Sequence, residues 1–228
     1  MAYGHGPRVR GRSLSKSVSA SHFKRRWRAG FRRRVGFVAY RFRINGLSDQ
    51  NSAVAFKDEF LGRFRWIEGH ADVTGLFADG QLLAQAVEAL ALPFEGHGVT
   101  RVAAVEARGF VLGSGVALRL GVGFVAIRKA GSVHPGPKVG RMTAPDWRGR
   151  EHLLQLQRAA LGSGDVVLLV DDWAEAGSQA TAAKALIEET GALYAGLSLL
   201  VDQLPDDVRR ELEPVRAVVR ADELPPGG

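Results

Sequence analysis

Two adjacent carboxylates, Asp171 and Asp172, directly follow the apolar run Val166, Val167, Leu168, Leu169 and Val170. Such a run reads as a strand buried on both faces, as in a parallel sheet. The carboxyl end of such a strand is where open α/β sheets bind ligands. Paired carboxylates there can accept hydrogen bonds from vicinal hydroxyls, or approach a Mg2+ ion. Trp173 and Ala174 come next, then Glu175, Ala176, Gly177, Ser178 and Gln179, with a helix predicted over 178–189. The N-terminus of that helix offers backbone N–H groups and a favourable dipole to a phosphate. On spacing alone, the two aspartates would serve equally well as the end of a strand and the cap of a helix.

A second strand-end turn lies upstream. Residues 100–105 (TRVAAV) form a short β run, followed by Glu106, Ala107, Arg108 and Gly109 and by a glycine-punctuated helix over 110–120. Gly121 and Gly123 break that helix, and residues 124–127 make the next strand. Residues 129–150 hold four glycines and three prolines and read as loop. A connection of this length is characteristic of a lid or binding loop. Helical spacing of Leu82, Leu83, Ala86, Val87 and Leu90 predicts a helix after Asp79, its candidate cap. Further short strands are expected at 153–156, 192–201 and 215–219. Strands alternating with helices predict an α/β fold with a mainly parallel sheet flanked by helices.

Several segments, taken in order, carry a resemblance. They are GHADV (69–73), FADG (77–80), VEARGFVLG (105–113), GVGFVAIRK (121–129), PGP (135–137) and VVLLVDDWAEAGSQA (166–180). Together they resemble the type I phosphoribosyltransferase family, most closely the adenine phosphoribosyltransferases, over about residues 65–202. The resemblance implies that family's sheet with a long mobile lid. It also implies an enzyme that joins a purine-type base, adenine foremost, to phosphoribosyl pyrophosphate (PRPP) and releases pyrophosphate. By the same resemblance Asp171 and Asp172 would bind the ribose hydroxyls, and Ala174, Glu175, Ala176, Gly177, Ser178 and Gln179 would wrap the 5-phosphate. Ala107 and Arg108 would hold pyrophosphate, with Arg128 and Lys129 nearby and Mg2+ carried on the pyrophosphate rather than ligated directly. Asp146 and Trp147 fall at the offset of the family's lid Glu-Tyr pair, so Asp146 would be the acid/base partner of the base and Trp147 could stack on it. A homodimer and a cytoplasmic role in purine salvage are implied as well.

The phosphate loop departs from the family's Ala-Thr-Gly-Gly-Thr, reading Glu175, Ala176, Gly177, Ser178, Gln179. An ionised Glu aimed at a phosphate would be repelled by several kcal/mol if desolvated, and by far less in water. Glu175 therefore faces away, holds a cation, or favours another ligand. A non-catalytic module that senses nucleotides or PRPP is the alternative that this loop leaves open. Glu106 is expected to orient Arg108 or to reach Mg2+ indirectly, and Trp173 to pack in the core or shape a pocket. His70, His97, His134 and His152 lack metal-ligand spacing and read as surface or hydrogen-bonded residues.

Charge is unevenly distributed. Residues 1–48 carry thirteen Lys/Arg and no acid, whereas the remaining 180 residues hold 18 basic and 24 acidic side chains. The expected organisation is a basic, disordered tail (1–48) on an acidic domain (49–228). The tail reads as an extension without a role, as a nucleic-acid-binding arm with Trp27 and Phe31 among its arginines, or as an Arg/Ser-rich targeting peptide. With no cysteine, disulfide and thiolate chemistry are excluded. No apolar run is long enough to suggest a membrane span.

Overall fold

The computed structural model describes residues 49–131, 135–146 and 148–226. The basic segment 1–48, His134 and Trp147 lie outside these residues. The described part opens with helix α1 (Asp49–Arg63) and a small hairpin, β1 (Arg65–Ile67) and β2 (His70–Asp72). Helices α2 (Thr74–Ala78) and α3 (Gly80–Ala91) follow. As expected, Asp79 caps α3, its carboxylate accepting hydrogen bonds from the backbone N–H groups of Gln81 and Leu82.

The main sheet has seven strands: β3 (Arg101–Val105), β4 (Gly123–Lys129), β5 (Lys138–Met142), β6 (Leu153–Gln157), β7 (Val166–Ala174), β8 (Leu193–Asp202) and β9 (Val215–Arg220). Their spatial order is β5-β6-β4-β3-β7-β8-β9. Strands β4, β3, β7, β8 and β9 run parallel, while β6 pairs antiparallel with β4 and with β5. Helices α4 (Arg108–Leu120), α5 (Ser178–Glu189) and the short α6 (Asp206–Glu211) complete the fold. This is the α/β architecture that the alternating pattern predicts.

Strand β7 divides the core. Val167 and Leu169 join the apolar cluster containing Leu186, Ile187 and Leu197, while Leu168 and Val170 join the opposite cluster with Leu112, Val116 and Leu90. Alternation along one strand thus buries both faces, each such side chain contributing about 1.5–3 kcal/mol. Helix α5 faces the sheet through Ala180, Ala183, Leu186 and Ile187, a helical stripe of small and aliphatic residues.

The glycines of α4 set how closely it approaches the sheet. A side chain at Gly113 would place Cβ 2.8 Å from Ala104 Cβ, so only glycine allows this packing onto β3. The N-terminus of α4 is thereby drawn toward the end of β7.

Two expectations need correction. Residues 129–150 are not all loop, because residues 138–142 form β5, which pairs with β6 from Lys138↔Gln157 to Met142↔Leu153. On this edge strand only Val139 is buried, so little alternation shows in the sequence. Strand β7 also runs on to Ala174, making Asp171 and Asp172 part of the strand. Pairing with β8 carries it there, through Asp171↔Leu199, Trp173↔Val201 and Ala174↔Asp202.

Candidate active site

Strand β3 pairs with β7 only as far as Ala103↔Leu169 and ends at Val105. Beyond that point β7 projects on without its β3 neighbour, and the first turn of α4 comes in beside it. A cavity of about 620 Å³ opens there. Its wall includes Asp171, Trp173, the complete loop from Ala174 to Gln179, Arg108 from α4 and Lys129 from β4. Asp146, Arg148, Arg150 and His152 close it from one side, and Trp66, His70 and Ala71 of the hairpin from another.

The aspartate pair is packed against the start of α4. A Cβ on Gly109 would lie 2.7 Å from Asp171 Oδ1, so the absence of a side chain there makes room for the carboxylate. That oxygen accepts a hydrogen bond from Asp172 N at 3.0 Å. Asp172 is only 5% exposed and sits behind the wall rather than on it. Arg108 Nε stands 3.0 Å from Asp172 Oδ2. That contact lacks hydrogen-bond geometry, so this buried oxygen has no hydrogen-bond donor among the described residues. Burial, followed by the neighbouring Asp172 charge, pushes the Asp171 carboxyl well above the usual carboxylate range. Burial also raises Asp172, against the pull of Arg108.

The phosphate loop turns through Gly177, whose φ of +72° suits glycine. A Cβ there would meet Val208 Cγ1 at 2.5 Å and Leu204 Cδ2 at 2.7 Å. Gly177 is the N-cap of α5, and no side chain caps that helix. Its first N–H groups are therefore available beside the cavity. Glu175 lies on the cavity wall, and its carboxyl is raised by burial and by Asp146, opposed by Arg148.

The lid is a ribbon closed by a hydrogen-bonded turn. Thr143 N donates to His152 O, and His152 N donates to Thr143 Oγ1, each at 2.9 Å. Between them Asp146 Oδ1 accepts from Arg148 N at 2.9 Å and from Arg150 N at 2.8 Å. His152 Nε2 is 3.6 Å from Asp146 Oδ2. The backbone N–H of Arg150 is the largest influence holding this carboxyl below its usual range.

Of the residues singled out in the sequence, Asp146, Asp171, Arg108, Lys129 and 174–179 meet at this cavity, whereas Ala107 and Arg128 do not line it. Ala107 is the N-cap of α4, after a cis Glu106–Ala107 peptide. Arg128 Nε instead donates to Glu106 Oε2 at 3.2 Å, and Lys129 N donates to Glu106 Oε1 at 2.6 Å. The expected pairing of Glu106 with Arg108 is replaced by this tie between the ends of β3 and β4. Trp173 does both things expected of it: it packs edge-on against Trp66, with centroids 6.0 Å apart, and it also lines the cavity. Sequence reasoning missed Trp66 and the placement of His70 and His152. A Trp beside a Glu-Gly turn (Glu68, Gly69) was the available signal for the hairpin.

No protein-family model matches the chain. Among characterised proteins it is similar to the adenine phosphoribosyltransferase of Streptomyces clavuligerus, 39% identical over 150 residues, which is 66% of this chain and 83% of that protein. The crystal structure of adenine phosphoribosyltransferase from Rhodothermus marinus matches with a TM-score of 0.64 at 27% identity, covering 73% of this chain and 99% of that one. The Saccharomyces cerevisiae enzyme, solved with an imino-altritol bisphosphate and adenine, matches with a TM-score of 0.64 at 26% identity over 72% and 99% of the two chains. The chain belongs to the adenine phosphoribosyltransferase family of type I phosphoribosyltransferases and is an enzyme of that class.

Proposed function

We propose that the protein joins adenine to the anomeric carbon of PRPP with release of pyrophosphate, and that Asp171 and Asp172 hold the ribose. The observation that carries this reading is the convergence of Asp171, with Asp172 directly behind it, the α5 N-terminus and the lid turn on one cavity. The ribose hydroxyls would donate to Asp171, and to Asp172 Oδ2 once Arg108 swings toward the pyrophosphate. That oxygen is a buried acceptor with no donor, which a hydroxyl would satisfy. Backbone N–H groups of 175–179 would take the 5-phosphate, so the missing threonine hydroxyls matter less than the loop's shape. Lys129 and Arg108 would face the pyrophosphate.

Mg2+ would be carried into the cavity beside Asp171 on pyrophosphate oxygens and water, with this carboxylate as the nearby hard acceptor. When bound it would neutralise the leaving group. The chain's own contribution is to bind, orient and exclude water around a transition state in which charge builds at the anomeric carbon. Adenine would enter between the hairpin, with Trp66 and His70, and the lid turn, where ionised Asp146 accepts a hydrogen bond from it. The family supports a homodimer and a cytoplasmic setting, the former checked by light scattering. Among the described residues, no helix is long and apolar enough to cross a membrane.

Incubation with PRPP, Mg2+ and adenine, hypoxanthine, guanine, xanthine, uracil or orotate, with pyrophosphate measured, tests the reaction. Adenine-dependent release is expected. No release with any base, despite measurable PRPP binding, would support the sensing alternative.

A further inference from the structure

Glu175 is the cavity carboxylate that the reaction so far leaves idle. It stands on the short connection from β7 to α5 and lines the cavity. No hydrogen bond or ion pair engages its carboxyl among the described residues. The charges that act on it come from the lid, Asp146 repelling and Arg148 attracting. Glu175 and the lid turn therefore line the same cavity, the one that also holds the space assigned to the base.

Asp146 is poorly placed to exchange protons, since Oδ1 is committed to two backbone N–H groups and Oδ2 faces His152. Those donors keep it ionised, whereas burial and the Asp146 charge push Glu175 the other way. Two carboxylates driven apart in this manner divide into a fixed charge and a proton-exchanging group. We infer that Glu175 is a further catalytic residue, the carboxylate that takes the ring proton of the incoming base, with Asp146 as the fixed acceptor beside it. This rests on the phosphoribosyl-transfer reading above.

The step balances. The bond from the anomeric carbon to pyrophosphate oxygen breaks, and its electron pair leaves with pyrophosphate. A lone pair of a ring nitrogen forms the new C–N bond, and the proton carried on the base's imidazole ring passes to the Glu175 carboxylate. In the reverse direction Glu175, now a carboxylic acid, returns it. Besides Asp146 and Arg148, the ionisable groups among the described residues that share this cavity are Arg150 and His152 on the lid side, His70 on the hairpin, Asp171 on β7, Arg108 on α4 and Lys129 on β4.

The test is steady-state kinetics of the full chain with PRPP, Mg2+ and adenine from pH 5 to 9. Wild-type kcat should rise with pH as Glu175 ionises. Glu175→Gln should lower kcat by about 10²- to 10⁴-fold, the usual range for a general acid–base group. Its KM for PRPP should stay within about threefold of wild type, and the acid limb should flatten. Asp146→Asn should keep the acid limb at a reduced rate. Acetate should restore part of the activity of Glu175→Ala, an outcome that a purely structural role would not give. Glu175→Gln with wild-type kcat and limb, or with its whole loss in the KM for PRPP, overturns the assignment. A folded wild type inactive with every base overturns the reaction itself, and this assignment with it.

Discussion

Asp171 and Asp146 face one cavity, and their surroundings treat the same functional group in opposite ways. Asp171 sits on a core strand, pressed against Gly109 and next to a second carboxylate, with its pKa driven up. Asp146 sits in a surface turn, fed by two backbone N–H groups, with its pKa driven down. The first site is short of donors until a ligand supplies hydroxyls; the second is complete without one. Ligand affinity is therefore expected to concentrate at the strand end, and the lid turn to contribute shape and one fixed charge.

The sharpest way to break this contrast is substitution at the strand end. Asp171→Asn and Asp172→Asn each remove hydrogen bonds to a charged group, worth about 1.5–3 kcal/mol. Each should cost about 10- to 150-fold in kcat/KM for PRPP, whereas Asp146→Asn should act mainly on the adenine-dependent terms. Equal losses at all three positions would erase the distinction. Gly109→Ala comes next, since its Cβ would displace Asp171 Oδ1. Misplacement of about 1 Å costs about 10²-fold in rate. Activity should fall by that order with the melting temperature almost unchanged.

Gly177→Ala sharpens the role of the loop. Its positive φ and the approach of Val208 and Leu204 predict a loss of about 1–3 kcal/mol in stability, measured by denaturant unfolding, together with weaker PRPP binding.

The smallest effect concerns the free protein. A carboxyl whose folded pKa is raised gives its full stability below its unfolded pKa and loses it as pH rises through the folded value. Asp171→Asn should therefore melt at a higher temperature than wild type at pH 7. That advantage should vanish near pH 3. For Asp146 the sign reverses: its contribution is present above the unfolded value and is lost on acidification.

The central elements were legible because they are strongly patterned. The run before Asp171 is uniformly apolar and marks the start of β7, though not its extension to Ala174, and α5 matches its predicted span of 178–189. The capping role of Asp79 was also readable, since the chemistry is local. Strand β5 was not, because one buried valine among prolines and glycines carries no period. The hairpin was missed for a similar reason, its strands being three residues each. Contacts between distant elements were the least visible. Gly109 against Asp171 depends on how closely α4 packs on β3, and Glu106 with Arg128 rather than Arg108 on the pairing of β3 with β4. Similarly, Arg108 and Lys129 meet at the cavity because β3 stops where β7 continues, a matter of sheet register.

Calorimetric titration of PRPP with Mg2+ into the wild-type chain and into the Asp171→Asn/Asp172→Asn double variant tests the strand-end assignment most directly. Single-site binding by wild type, weakened at least about 10²-fold in a double variant that still folds, is the predicted result. Equal affinity in the two proteins would contradict the claim that this pair of aspartates holds the ribose.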